Sequence, residues 1–252
     1  MKVKLIIFIL YLPVYIFAQI NIEKFRQNQD SVGISAIISA GFSIKTGNTQ
    51  YTIIDGGGRI NYNKENYYTF FVFNGDYGWI DGNQFSNTAL FHLRYVPRLS
   101  EFLQLEIFSQ IDYDKARLLL FRDLIGSGLR FKIYTVKNYK LRIGSGFMYE
   151  HERYDLPATA KHKIRTYDVR WTNYFDNEIE LQENLKLFSV VYYQPRVNEF
   201  SNTRILSENN LVVDVSRHFS FFITYDLRFD SNPPDGKKET DTKSKFGISL
   251  NF

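Results

Sequence analysis

Hydrophobic and polar residues alternate with a period of two along most of the chain. In the segment VGISAIISAGFSIK, every second residue from Ile34 to Ile44 is apolar, whereas Ser35, Ser39 and Lys45 have the opposite parity. Successive side chains of a strand point to opposite faces, so this alternation indicates a long strand between an apolar and a polar environment.

The same alternation recurs in about 12 segments, each of about 10 to 14 residues. Soluble strands usually have about 5–6 residues, whereas a tilted strand that crosses a membrane needs about 9–11. Arg, Asp and Glu recur on the polar parity, which suits a hydrated lumen with lipid outside. The pattern therefore predicts an all-β fold, a transmembrane antiparallel up-and-down β-barrel of about 12 strands. It does not define the strand boundaries within residues 176–184 and 199–216.

The N-terminal residues depart from this pattern. Residues 1–18, MKVKLIIFILYLPVYIFA, contain two lysines, an apolar run and a final alanine, which is the order of a secretory signal peptide. An uncleaved anchor is the alternative, but the apolar run is shorter than the ~20 residues of a spanning helix. We therefore expect a signal peptide at 1–18, a polar leader at 19–31 and the barrel at 32–252.

The chain ends on Phe252, in phase with the apolar face of the last predicted strand. We expect this terminal aromatic residue to be the assembly signal that the barrel-assembly machinery of a bacterial outer membrane recognises during biogenesis.

Composition narrows the chemistry and the partners. The chain has 18 Tyr and 23 Phe but no Cys. Tyr and Phe favour pleated surfaces, and Tyr also suits the membrane–water interface. The lack of Cys excludes disulfides, thiolate metal sites and a Cys nucleophile. The formal net charge of +4 is spread along the chain. We therefore expect outer-membrane lipid, and no nucleic acid, as a partner; the sequence leaves the oligomeric state open.

Charged residues on the inward parity are the candidate functional residues. The predicted lumen-lining residues are Arg59, Arg94, Glu106, Arg122, Arg130, Lys132, Arg142, Glu150, Asp168, Arg170, Asp226, Arg228 and Lys245. Because buried charges must be paired, one interpretation is a set of ion pairs that fills the lumen. The other interpretation is a small pore, because a barrel of this size lies between filled barrels and open porins.

Catalytic patterns are not found in the sequence. The four histidines have no metal-binding spacing, and we expect no cofactor, no metal site and no enzyme activity. The enzymatic alternative is an outer-membrane lipid hydrolase that uses Ser145 and His151, which share the outward parity of one predicted strand. Six residues apart along a strand, they would be ~20 Å apart, which is too far for a nucleophile and its base.

Three stretches resemble the domain-of-unknown-function 481 family, which is described as salt-induced outer membrane proteins. They are SAGFSIKTGNTQYTI, RDLIGSGLRFKIY and YDLRFDSNPPDGKKETDTKSKFGISLNF. The resemblance implies a barrel in the bacterial outer membrane, of undefined biochemical role, and it supplies no catalytic residues. The expected function is thus structural or related to envelope stress, with a charge-filled lumen. A small-solute channel and, after it, a lipid hydrolase are the alternatives.

Overall fold

The computed structural model of the protein describes residues 32–45 and 51–251. The predicted signal peptide (1–18), the predicted leader (19–31) and the predicted assembly signal at Phe252 lie outside the described residues. The strands and the lumen that follow from the alternation can therefore be compared with the structure, whereas the expectations about export and assembly remain predictions.

Twelve antiparallel strands form one closed barrel, which confirms the predicted fold. The strands are β1 (Gly33–Lys45), β2 (Tyr51–Asn63), β3 (Tyr67–Ile80), β4 (Asn83–Pro97), β5 (Leu103–Asp114), β6 (Leu119–Val136), β7 (Tyr139–Tyr154), β8 (Arg165–Gln182), β9 (Leu185–Arg196), β10 (Glu199–Asp214), β11 (Phe219–Asp230) and β12 (Thr240–Asn251). Each strand pairs with its neighbours in sequence, and β1 pairs with β12 to close the wall.

The strands are longer than the alternation suggested. The shortest have 12 residues, and β6 and β8 have 18. A single turn of 3-10 helix at Lys115–Arg117 joins β5 to β6. Among residues 32–45 and 51–251, no helix is long and apolar enough to cross a membrane.

The burial pattern along the strands is the reverse of that in a water-soluble barrel. In β11, Ile223 is 45% exposed, whereas the next residue, Thr224, is 1% exposed. Phe221 and Tyr225 are exposed like Ile223, and Asp226 is buried like Thr224. Alternate residues therefore form an apolar outer wall and a polar interior. This is the arrangement of a membrane barrel, because so large an exposed apolar belt is unfavourable in water.

The connections differ between the two ends of the barrel. The end at which β1 begins and β12 finishes is called the terminal end, and the opposite end is called the loop end. The terminal end carries the connections 64–66, 98–102, 137–138, 183–184 and 215–218. The loop end carries the two longest described connections, 155–164 and 231–239. This difference matches the short periplasmic turns and longer external loops of outer-membrane barrels.

The structure also gives the strand boundaries that the sequence left open. β8 continues to Gln182, and a short turn at 183–184 leads into β9. β10 is one strand, but its pairing with β9 is irregular between Glu199 and Thr203. Beyond Thr203 the pairing is regular, and the alternation is obscured because polar Ser207 and Asn209 have the outward parity whereas apolar Leu206 and Val212 have the inward parity.

A glycine on the inner face of β7 lets a bulky side chain cross the interior. A Cβ atom on Gly144 would lie 2.1 Å from Cε1 of Tyr174, so a larger residue would displace the tyrosine ring. Over this glycine, the Tyr174 hydroxyl donates a hydrogen bond of 2.7 Å to Oε2 of Glu106, from β8 to β5. The glycine is therefore needed for close packing across the barrel.

Candidate functional site

The interior of the barrel is filled with ionisable side chains of both signs. The buried residues in the described part of the chain include eight arginines and ten carboxylates. Of the 13 predicted lumen-lining residues, ten are buried, and Lys132, Asp168 and Lys245 are partly buried. Because charges of opposite sign are nearly balanced, the interior can be held together by ion pairs.

Glu150 lies at the centre of the largest group of ion pairs and is 0% exposed. Its Oε1 atom accepts hydrogen bonds of 2.8 Å from Nε of Arg170 and from Nη1 of Arg204. Its Oε2 atom accepts bonds of 2.8 and 2.6 Å from Nε and Nη2 of Arg122. One carboxylate is thus bound by arginines from β6, β8 and β10, and such charge-assisted bonds are the strong ones.

Arg204 extends this group to a further strand. Its Nη2 atom is 2.9 Å from Oε2 of Glu152, and its Nε atom is 2.8 Å from Oδ2 of Asp230. β10 and β7 are three strands apart in the barrel of twelve, so the contacts of Arg204 with Glu150 and Glu152 run through the lumen and join strands that are not neighbours. The residues Arg122, Glu150, Glu152, Arg170, Arg204 and Asp230 are called the central cluster.

A second group of ion pairs lies between β5 and β8. Nη2 of Arg130 is 3.3 Å from Oδ2 of Asp176, and Nε of Arg142 is 2.9 Å from the same oxygen. Nη1 of Arg130 is also 3.5 Å from Oε1 of Glu106, the residue that accepts the hydrogen bond from Tyr174. These contacts form a second group of ion pairs and hydrogen bonds, which connects β5, β6, β7 and β8 inside the barrel.

Other predicted residues have partners elsewhere in the lumen. The pairs are Arg94 with Glu106 at 3.4 Å, Asp168 with Arg196 at 2.9 Å, Arg228 with Asp230 at 3.5 Å, and Lys245 with Asp55. Lys132 and Asp226 lie opposite Arg142 and Lys243 in the strand register. Arg59 donates a hydrogen bond of 2.5 Å from Nε to Oδ1 of Asn61, and its guanidinium carbon is 3.6 Å from the centre of the Phe70 ring.

Two parts of this interior do not follow from the sequence pattern. Arg204 is not among the predicted residues, because polar and apolar residues are mixed on both parities of β10. The inward side of β3 was also missed: Tyr68, Phe70 and Val72 are buried there, so both parities of this strand are apolar. His92 stacks between the rings of Phe70 and Phe108, and it is 3.1 Å from Gln110. The sequence signal for this was the run YYTFFVF, in which Thr69 is the one residue that is neither aromatic nor aliphatic.

One cavity inside the barrel is small. Its volume is about 80 Å³, and it lies among residues that include His92, Phe108, Asp114 and Tyr192. A water molecule needs roughly 10–15 Å³ by this measure, so the cavity has room for several water molecules. Its lining is mixed, and polar residues such as His92 and Asp114 can supply the hydrogen bonds that such waters require.

The outward polar residues do not form a catalytic arrangement. Ser145 donates a hydrogen bond of 2.8 Å to Oδ1 of Asn173 and accepts one of 3.0 Å from Nε1 of Trp171. The Nδ1 atom of His151 is 2.9 Å from Oδ1 of Asp123. Ser145 and His151 therefore have separate partners. Within residues 32–45 and 51–251, no group of three or more metal-ligating side chains has a geometry that could hold a metal ion.

The two long connections at the loop end contact each other. The backbone N–H of His162 donates a hydrogen bond of 2.7 Å to Oδ2 of Asp235. This bond, together with that from the backbone N–H of Lys161, holds the pKa of the Asp235 carboxyl below its ordinary value of 3.8. The contact thus favours the ionised carboxylate.

This loop contact should depend on pH. Because its pKa is lowered in the folded state, Asp235 contributes to the contact above the ordinary carboxyl pKa, and the contribution is lost as pH falls through the lowered value. We expect the His162 amide to be protected from hydrogen exchange at pH 7 and to lose protection below about pH 4. Asp235→Ala should remove the protection at both pH values, whereas Glu239→Ala, an exposed change in the same connection, should leave it intact. Equal protection of the wild type at both pH values would contradict the assignment.

Comparison with known proteins agrees with the barrel and gives the family. A family model, described as a protein of unknown function, DUF481, matches residues 38–252. Among curated proteins, no significant match is found. The chain resembles the translocator domain of the autotransporter NalP from Neisseria meningitidis with a TM-score of 0.50 and 10% identity, over 90% of this chain and 91% of that chain.

Two porin structures resemble the chain less well. The NanC porin matches with a TM-score of 0.48 and 9% identity, over 86% of this chain and 97% of that chain. The KdgM porin, in complex with disordered oligogalacturonate, matches with a TM-score of 0.45 and 9% identity, over 87% of this chain and 99% of that chain. At these identities the likeness concerns the fold, which resembles that of bacterial outer-membrane β-barrel proteins. Because the family model covers most of the chain, the chain belongs to the DUF481 family of proteins of unknown function.

Proposed function

We propose that the chain is a barrel of the bacterial outer membrane whose lumen is closed by ion pairs and which has a structural role in the cell envelope. The observation that carries this proposal is the burial of Glu150 between arginines of three different strands. Outer-membrane lipid surrounds the wall, and the barrel-assembly machinery inserts the chain, with Phe252 as the signal.

The outer wall supports a location within a membrane. Large apolar residues are exposed on most strands, for example Phe91 on β4, Ile125 on β6, Phe147 on β7 and Phe221 on β11. Exposed apolar surface that continues around a barrel is stable when lipid covers it. The strands are also long enough, since a tilted membrane strand needs about 9–11 residues.

The arrangement of charges supports a closed lumen. Arg204 of β10 binds carboxylates of β7, and Tyr174 of β8 binds Glu106 of β5, so each contact joins strands that are three apart in the barrel of twelve. These side chains project into the lumen and narrow the path that a solute would need. A selective pore instead tends to gather charges of one sign around a constriction. Here arginines and carboxylates alternate and neutralise each other.

Conductance in a planar lipid bilayer tests this proposal. We expect the wild-type protein to show little steady current, because the central cluster blocks the lumen. Arg204→Ala removes the side chain that links β10 to β7 inside the lumen and should produce resolved openings. Lys140→Ala is the matched control, since Lys140 pairs with Glu178 near the terminal end and is partly exposed. Large ohmic currents through the wild-type protein would contradict the closed lumen and would favour the small-solute channel.

Lipid hydrolysis is not supported by the outer wall. Ser145 donates its hydroxyl hydrogen to Asn173, and His151 is bound to Asp123. Because a nucleophile must share a hydrogen bond with its base, these separate pairs do not activate the serine. We therefore propose a non-enzymatic role, and release of fatty acid from phospholipid that depends on Ser145 would overturn it.

A further inference from the structure

The outer wall changes from apolar to basic along β7 and β8 towards the loop end. Tyr149 and Val169 are opposite each other in the strand register, and both are exposed on the apolar wall. Arg153 and Arg165 are opposite each other four residues further along, which is ~13 Å along a strand. The two arginines therefore lie where the apolar wall ends and the connections of the loop end begin.

Arg153 and Arg165 are exposed and have no carboxylate partner within residues 32–45 and 51–251. Like charges directly opposite each other in a sheet are unfavourable. An anion between or beside the two guanidinium groups would remove this repulsion. Arginine binds phosphate through paired hydrogen bonds, which gives both energy and geometry.

A basic pocket adjoins these arginines. It has a volume of about 470 Å³ and lies between the connections 155–164 and 231–239. Lys161, Lys163 and Arg165 line it, and none of the three has an ion-pair partner in the described part of the chain. The volume is within the range of small-molecule pockets, roughly 300–1,000 Å³. The pocket can thus accept a group of the size of a lipid headgroup.

The acidic residues of the pocket are already bound to other groups. Asp168 is 2.9 Å from Nη2 of Arg196. Asp235 accepts hydrogen bonds from the backbone of the 155–164 connection, including that from His162. Both carboxylates keep their negative charge, but the pocket is lined by four cationic side chains, Lys161, Lys163, Arg165 and Arg196, so its net charge remains positive.

We propose that this basic pocket, which is called the rim pocket, binds the phosphate of a lipid headgroup in the leaflet at the loop end. The lipid is favoured over free phosphate because Tyr167, which is 58% exposed on the outer wall, also lines the pocket. Arg153 lies on the outer wall itself, two residues beyond the level of Tyr167 in the strand register. A ligand that contacts both arginines therefore extends from the pocket to the lipid-facing wall. Basic pockets at membrane surfaces bind such headgroups.

The inference rests on the membrane location in the proposed function, but not on whether the lumen conducts. The test uses the purified protein in phosphatidylcholine nanodiscs that contain a small fraction of phosphatidic acid. Binding of phosphatidic acid is measured by native mass spectrometry and by the salt dependence of its retention. Titration with inorganic phosphate alone distinguishes the free anion from the lipid.

Two double variants, Arg153→Gln with Arg165→Gln and Lys161→Gln with Lys163→Gln, are compared with a matched control. The control is Lys137→Gln with Arg217→Gln, which removes two exposed positive charges at the terminal end. We expect the affinity for phosphatidic acid to fall at least tenfold in both site variants and to stay unchanged in the control.

Four outcomes would overturn the inference or its basis. An equal loss of affinity for phosphatidic acid in the control variant would mean that net charge, and not the rim pocket, retains the lipid. Displacement of the lipid by inorganic phosphate at similar concentration would mean that the pocket binds free phosphate. Insertion into nanodiscs without selective retention would overturn only the lipid site, whereas failure of the wild-type protein to insert would overturn the proposed membrane function itself.

Discussion

Replacing Glu150 by alanine is expected to destabilise the barrel by about 3–5 kcal/mol, the cost of removing one partner of a buried ion pair. Three arginines bind this carboxylate, and its residue is fully buried. Without it, the positive charges of Arg122, Arg170 and Arg204 would lie close together in the interior. Glu152 and Asp230 can compensate only in part, because each is already bound to Arg204.

Urea unfolding of the protein in lipid vesicles measures this effect. Glu199→Ala is the control. Glu199 is also paired with an arginine, Arg196, but its side chain is 54% exposed. Exposed ion pairs contribute about 0.2–1 kcal/mol, so the control should unfold close to the wild-type midpoint. Similar midpoints for Glu150→Ala and Glu199→Ala would show that the central cluster does not stabilise the barrel.

The second large effect is expected on the outer wall. Ile223→Arg should lower the free energy of unfolding by about 2–4 kcal/mol if this part of β11 faces the hydrocarbon core of a membrane. The side chain projects from the apolar wall, and its neighbours in the strand register are Leu211 and Phe246. A charge at this position would have no carboxylate partner on the wall and would be exposed to lipid.

Val136→Arg is the matched control for depth. Val136 is also an exposed aliphatic residue, but it is the last residue of β6, at the terminal end. A charge near the membrane surface costs only about 0–1 kcal/mol. Both variants are compared by denaturant titration in vesicles. A larger loss of unfolding free energy for Val136→Arg than for Ile223→Arg would mean that Val136, and not Ile223, lies at the depth of the hydrocarbon core.

The fold could be predicted from the sequence because a membrane barrel imposes one rule on every strand. Each strand has lipid on one side and the lumen on the other, so a period of two is repeated over its whole length. Residues such as Arg130, Glu150 and Arg228 alternate with apolar residues and have the inward parity, and the structure buries them inside the barrel. The length of the alternating segments then distinguished a membrane barrel from a soluble one.

The contacts across the lumen could not be predicted in the same way. Parity places Glu150 and Tyr174 inside, but it does not give the stagger of the strands around the barrel. That stagger decides that Arg204 reaches β7 and that Tyr174 reaches Glu106. The parity of Arg204 was also hard to assign, because polar and apolar residues are mixed on both faces of β10. The rim pocket was missed for another reason: connections have no periodicity, so the sequence does not show that 155–164 meets 231–239.

The closure of the barrel has a consequence for the order in which its wall separates. Only four residue pairs join β1 to β12 among the described residues, whereas 13 join β1 to β2. Beyond these four pairs, the interior ion pair between Lys245 of β12 and Asp55 of β2 spans the joint, and Gly41 of β1 leaves room for the Asp55 side chain. Under mechanical tension or during unfolding, this joint should therefore separate first. The two strand edges would then become free while the other eleven pairings are still intact.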